Sequence, residues 1–227
     1  MHYAQYKHSD PALVREVVEA FPFAAVAVNS SDGPLAAHAP MTFRDGLRPA
    51  GAVEFHLAKI NPTAALLAPG TPITVLFQGP GAAVSPTWFH ASFPDSKSDR
   101  SRTAPTYSYL SLVIRGRLQF MDDKALQDQI ADLVLSYEGE DGWRLEELAP
   151  DLWQGWRSTI QGYRLEIEHF DLTAKLDTGE SPGDRPGIVE GLTARGLQDD
   201  TMVASLVRAY DGTPRSLGGL LRSLRAK

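Results

Sequence analysis

No cysteine occurs among the 227 residues, which excludes disulfides, thiolate catalysis, zinc–cysteine centres and cysteine-ligated iron–sulfur clusters. No apolar run approaches the roughly 18 residues of a membrane span. The N-terminal MHYAQYKHSDPALV has neither a basic n-region nor a continuous apolar core. The expectation is a soluble, cytoplasmic protein with no membrane partner. Positive charge is scarce: 22 Lys and Arg against 28 Asp and Glu leave a formal charge of −6, so the chain as a whole repels a nucleic-acid backbone. There is no G-x-x-x-x-G-K-[ST] loop to cradle a nucleotide phosphate. The six histidines, His2, His8, His38, His56, His90 and His169, never fall three or four residues apart, so no helix offers a paired metal site.

What remains is an ordinary globular composition, 43% hydrophobic and 22% charged. The length allows one large domain or one domain with an appendage. Ser9-Asp10-Pro11 supplies a cap and first-turn proline for a helix carrying Leu13, Val14, Val17, Val18 and Phe21 on one face. Short strand-like runs follow at Phe23–Val28, Pro34–Phe43, Ala52–Leu57, Ile73–Gln78 and Ala82–Ser85. Turn-forming residues separate them, among them Gly79-Pro80-Gly81, read as a hairpin turn. Such close spacing favours an antiparallel barrel or sandwich over βα units. Asn61-Pro62 predicts a helix of about two turns inside the strand series. Tyr109–Phe120 and Gly162–Phe170 read as later strands. Asp122 caps a helix with Leu126, Ile130, Leu133, Val134 and Tyr137 on its apolar face. DTGESPGDRPG, from Asp177, reads as a loop or linker, and 201–227 as two small amphipathic helices rich in arginine, ending at Lys227.

The acidic stretch Glu138–Glu147 looks solvated, and a general acid needs a shielded cleft. The densest chemistry lies at Phe55–Pro62. Val53, Phe55 and Leu57 share one face of a strand, which puts Glu54 and His56 together on the other. Lys59 follows, then the start of the Asn61-Pro62 segment. Unpaired N–H groups of a first helical turn and the Lys59 ammonium together suit a phosphate monoester. By spacing alone the plainer reading, an ordinary cap with a solvated lysine, is favoured. Trp88 and Phe89 suit either stacking on a planar ligand or core and interface packing. The long polar loop from His90 to Ala104 suits a lid.

Taken in order, Phe21-Pro22-Phe23-Ala24, Ala37-His38-Ala39-Pro40, His56–Pro62, Phe77–Pro80, Val84–Trp88, Pro105–Tyr109, Arg115-Gly116-Arg117, Lys175-Leu176 and Asp184–Leu192 resemble the PaiB family. Its members are described as FMN-binding negative transcriptional regulators. They have a split β-barrel like that of pyridoxamine-phosphate-oxidase-like flavoproteins. The resemblance implies a mainly β (α+β) split barrel with flanking helices, a homodimer, and FMN at the subunit interface. It carries cofactor contacts onto His56, Lys59, Asn61 and Pro62, and also onto Ala37, His38, Trp88 and Lys175. The chain departs from the family pattern at two places. Pro105-Thr106-Tyr107-Ser108-Tyr109 stands for Pro-Thr-Trp-Asn-Tyr, and Lys175-Leu176-Asp177-Thr178-Gly179 for Lys-Leu-Ser-Gln-Asn.

The implied organisation is a barrel domain over 1–176, with linker and helical tail over 177–227 packing on the barrel or dimer. The implied function is FMN-linked transcriptional regulation, with DNA as a candidate partner of the basic tail. The alternative is a flavin-dependent, FMN reductase-like oxidoreductase of the same fold. A haem protein of this fold ranks last and would need His38, His56, His90 or His169 as axial ligand.

Overall fold

The computed structural model describes residues 4–225; His2 and Lys227 lie outside the described residues. A 3-10 turn at Ala4–Tyr6 leads into β1 (Lys7–His8), α1 (Ala12–Ala20), β2 (Phe23–Ser30), β3 (Gly33–Pro40), β4 (Thr42–Arg44) and β5 (Ala52–Ala58). Next come β6 (Pro72–Val84), β7 (Thr106–Phe120), α2 (Asp123–Glu138), α3 (Pro150–Thr159) and β8 (Ile160–Lys175). The chain ends with α4 (Arg185–Arg195), α5 (Asp200–Ala209) and α6 (Pro214–Arg225). The eight strands make one sheet in the order β3-β2-β6-β7-β8-β5-β4, with β1 paired to β8.

Two compact units divide the residues: 17–77 with 113–170, and 1–16 with 78–112 and 171–227. Residues 177–227, expected as linker and tail, group with the latter. In the 17–77/113–170 unit, β2 pairs antiparallel with β3 and β6, and β5 with β4 and β8. Alternation sends Val53, Phe55 and Leu57 of β5 inward with Tyr163, Leu165 and Ile167 of β8, all buried. Phe55 stacks on Tyr163 at 5.2 Å between ring centroids. Burial of each such side chain contributes roughly 1.5–3 kcal/mol. Gly116 is obligatory in β7, because a Cβ there would lie 2.0 Å from the Glu166 carbonyl oxygen. On α2, capped by Asp122 Oδ1 accepting from Ala125 N at 2.8 Å, Leu126, Gln129 and Leu133 are buried. Tyr137, expected on that face, is 61% exposed.

The other unit is built around its helices. Trp88 packs against α4 at Gly191, where a Cβ would meet the indole at 2.2 Å, and Arg195 lies 5.1 Å over the same ring. Arg195 also grips the buried Asp200 with two hydrogen bonds of 2.8 and 2.7 Å, tying α4 to α5. That guanidinium holds the Asp200 carboxyl below the usual carboxylate range, against the upward push of burial. Leu217 and Leu221 of α6 are buried, and Arg222 and Arg225 both close on Glu16.

Three elements differ from the sequence expectation. β6 is one strand of 13 residues rather than a hairpin. A two-residue hairpin turn needs positive φ, which neither Gly79 nor Gly81 has. Their missing side chains instead make room for Leu110 and Tyr107, whose atoms a Cβ would meet at 3.0 and 2.7 Å. Asn61-Pro62 opens only a 3-10 turn, Ala64–Leu66, and the backbone is extended again at Leu67. The 177–184 segment is pinned rather than loose, since the buried Asp184 accepts from Ala91 N and Ser92 N at 2.8 and 2.9 Å. Its Arg185-Pro186-Gly187 already belongs to α4.

Candidate functional site

Glu54 and His56 share the outer face of β5, as the alternation demands, and both are claimed by neighbours. Glu54 is 5% exposed and both its oxygens are occupied: Arg44 Nε donates at 2.7 Å and Arg164 Nη1 at 2.9 Å. Arg44 also pairs with Asp132 of α2, and Arg164 with Glu166. Burial works against both guanidinium charges. The surrounding carboxylates outweigh it and hold both arginines above their usual range. Two residues along, His56 Nδ1 lies 2.8 Å from Gln129 Oε1, while Gln129 Nε2 donates to Thr42 Oγ1 at 3.0 Å. An amide oxygen only accepts, so in this arrangement Nδ1 carries a proton. The polar Gln129, three residues after Leu126 and four before Leu133 on an apolar stripe, was the sequence signal for this partner.

Lys59 follows at the end of β5. Its Nζ donates to the Ser158 carbonyl at 2.7 Å, and its backbone N–H to Thr159 O at 2.8 Å, so it satisfies acceptors at the C-terminal end of α3. Two ammonium protons stay available at an exposed side chain. Most of the amides expected to await an anion are paired. Asn61 N donates to Ala58 O at 2.9 Å, Thr63 N to Asn61 Oδ1 at 2.9 Å and Ala64 N to Asn61 O at 2.9 Å. The amide of Ile60, whose side chain is 93% exposed, has no acceptor among the described residues. His56, Lys59, Asn61 and Pro62 therefore occupy one strand end and one turn.

Ala37 and His38 lie in the same compact unit, on β3, opposite Val26 and Ala25 of β2. Ala37 is buried, whereas His38 is exposed and stacks on Phe23 at 5.7 Å. Trp88 and Lys175 belong to the other unit. Trp88 is engaged by α4 as described. Lys175, only 6% exposed, donates to Thr106 Oγ1 and lies 6.0 Å from the Tyr6 ring centroid. Beside it Asp177 is 2% exposed and stands at φ 57°, a left-handed conformation that few non-glycine residues adopt. Its Oδ2 accepts from Ser108 Oγ at 2.7 Å, and its Oδ1 has no hydrogen-bond partner among the described residues. Burial pushes this carboxyl up, opposed by the Ser108 hydrogen bond and by Lys175 and Arg185. The two departures from the family pattern thus touch each other. Their sequence separation of 69 residues hid the pairing.

Other candidates find no chemistry. His90 and His169 are exposed, and the described residues contain no group of three or more His, Cys, Asp or Glu fit for a metal. Gly179-Glu180-Ser181-Pro182-Gly183 spells the G-x-S-x-G of a nucleophile elbow, but Ser181 is an exposed turn residue with no imidazole partner. No helix among the described residues is long and apolar enough to cross a membrane.

Known proteins resemble this chain at the level of both sequence and fold. The model of a family described as "Putative FMN-binding domain" matches residues 1–169. The chain is 22% identical over 175 residues to protease synthase and sporulation protein PAI 2 of Bacillus subtilis, covering 75% of this chain and 78% of that one. Among solved structures, the flavocytochrome Anf3 of Azotobacter vinelandii superposes with a TM-score of 0.58. It is 16% identical, over 77% of this chain and 71% of its own. The FAD and haem binding protein of Mycobacterium smegmatis gives 0.51 at 16% identity, over 75% and 73%. At such identities the structural likeness establishes the fold, a split β-barrel of antiparallel strands with flanking helices. Because the family match runs from residue 1 through β7, α2, α3 and most of β8, the chain belongs to the PaiB-type FMN-binding domain family.

Proposed function

We propose that this chain holds FMN with the phosphate at the end of β5, received by the Lys59 ammonium and the Asn61-Pro62 turn. The observation that carries the reading is a donor set with no competing acid. Residues 56–63 contain no carboxylate, and among the described residues Lys59 keeps two free ammonium protons and the Ile60 N–H lacks an acceptor. That set fits a phosphate monoester. The Gln129–His56 hydrogen bond orients the imidazole beside it. When bound, FMN supplies redox chemistry at its ring, and the protein supplies position and polar tuning. Titrating riboflavin against FMN by flavin fluorescence tests the site. Wild type should prefer FMN, and Lys59→Gln should erase most of that preference. Equal affinity of wild type for the two flavins overturns the placement.

The unit is a homodimer in this reading. β3 ends the sheet order, and around it Phe23, His38 and Leu76 leave an apolar outer face, with Phe23 62% and Leu76 42% exposed. A monomeric mass for wild type by light scattering removes the dimer.

The output is regulatory rather than catalytic, in line with the Bacillus relative named for protease synthesis and sporulation. Direct DNA contact would rest on Arg208 and Arg215, because Arg222 and Arg225 are engaged by Glu16. Failure to bind random-sequence duplex DNA even at low salt leaves regulation without a direct DNA contact. The competing oxidoreductase reading is separated by anaerobic mixing of the FMN-loaded protein with NADH or NADPH. Bleaching of the flavin would favour it.

A further inference from the structure

We infer that a second binding site, distinct from the β5 turn, lies in a cleft of about 230 Å³ beside Arg115 and Arg117 of β7 and takes a small oxyanion carried on an apolar body. The argument begins with the strand. Arg115 and Arg117 are two residues apart, so they project to the same face, about 7 Å from each other along β7. Gly116 between them faces the other way, and its lack of a side chain lets β7 lie tight against the Glu166 backbone. The two guanidinium groups therefore rise from a strand whose backbone is closely apposed to that of β8 between them.

Their pairing state is unusual in an acidic chain. The Arg115 side chain has no hydrogen-bond or ion-pair partner among the described residues. Arg117 donates once, from Nη1 to Gly70 O at 3.1 Å, and its Nε is 3.9 Å from Glu168 Oε1, beyond hydrogen-bond reach. Most of the ten N–H donors of two guanidinium groups thus remain unspent, in the forked geometry that suits carboxylate or phosphate oxygens. Glu168 is the one acid lining the cleft, so local charge still favours an anion by one unit.

The remaining walls define the rest of the ligand. Ala27, Pro72 and Ile73 offer an apolar side, while Asn29 and Thr74 add neutral polar groups. The volume lies below the roughly 300–1,000 Å³ of pockets that enclose drug-sized ligands, so the cleft encloses a small group rather than a whole flavin nucleotide. An aryl or short alkyl phosphate or carboxylate does. This site neither needs nor uses the FMN reading.

Phenyl phosphate is the probe, with inorganic phosphate and uncharged benzyl alcohol as comparison arms, followed by calorimetry and by phosphorus NMR line broadening. Phenyl phosphate should bind wild type more tightly than inorganic phosphate, benzyl alcohol should not bind, and added salt should weaken the complex. Arg115→Gln should weaken phenyl phosphate about ten-fold, as expected for a lost charge-assisted contact. Glu168→Gln should strengthen it by about three-fold, as removal of one nearby like charge does. With FMN saturating the β5 turn, phenyl phosphate should still bind at the Arg115 cleft. The inference is overturned if Arg115→Gln and Glu168→Gln have no effect, or if FMN displaces the probe. Displacement would assign the anion to the β5 turn instead.

Discussion

Two acidic side chains are buried to almost the same extent in the two compact units, and they are treated in opposite ways. Glu54, in the 17–77/113–170 unit, has a guanidinium on each oxygen, and its arginines are held in turn by Asp132 and Glu166. Asp177, in the other unit, has one hydroxyl on one oxygen and, among the described residues, no hydrogen-bond partner on the other. Charge can be buried where every lone pair meets a donor. Where donors run short, the carboxyl keeps its proton to higher pH. The first arrangement holds β4, β5, β8 and α2 in register. The second stores an incompletely satisfied acid at a left-handed turn, where strain concentrates.

The contrast can be broken at its strong end first. Glu54→Leu strands two partly exposed arginines and should cost about 3 kcal/mol in urea denaturation, at the low end for a broken buried pair because both arginines reach solvent. A loss well under 1 kcal/mol would mean that solvent already screens the network. Next, Ser108→Ala removes the one hydrogen bond made to the Asp177 carboxylate and should cost about 2 kcal/mol at neutral pH, the penalty of an unmet buried group.

Asp177→Asn sharpens the comparison through pH. An acid whose folded pKa is raised contributes stability that is complete below the ordinary carboxylate range and is lost as pH rises through the raised value. The Asp177 contribution should therefore be lost as the pH climbs from acid towards neutral, while Asp200, held low, contributes in the opposite sense, so Asp177→Asn should become more stable relative to wild type as the pH rises. Asparagine also tolerates the left-handed backbone. Glu180 is pushed up as well, by burial and then by Asp177, so part of the slope should survive. Identical pH profiles for the two proteins would remove Asp177 as its source. The smallest effect belongs to the surface: Lys124→Ala breaks only an exposed i, i+4 pair with Asp128 and should leave the melting temperature where it was.

Much of the fold is legible along the chain because its signals are local. The caps and apolar spacing of α1 and α2, the two tail helices and the strand series follow from residues within a few positions of one another. α3 and α4 escape such reading, since α4 opens on Arg185-Pro186-Gly187 and carries two glycines that only the close approach of Trp88 and His90 explains. The Gly79-Pro80-Gly81 hairpin fails for a similar reason. Side chains of β7, distant in sequence, require those glycines inside a continuous strand. At the candidate site, the adjacency of Glu54 and His56 follows from strand period alone. Gln129 stands out in sequence as a polar residue on the apolar stripe of α2, whereas Arg164 and Ser158 enter only through tertiary packing.

By itself the sequence determined that this chain is a cysteine-free β-rich domain with family motifs in order, and that His56, Lys59 and Asn61 share one strand end. Those conclusions rest on composition, covalent neighbourhood and the two-residue period of a strand. Only the tertiary structure decided how each polar group is satisfied. It set Lys59 against the end of α3, left the Arg115 side chain without a partner among the described residues, and joined Ser108 to Asp177 across 69 positions. Hydrogen bonds and desolvation depend on distances in space, and two residues far apart in the chain acquire such a distance only when the sheet and its helices close.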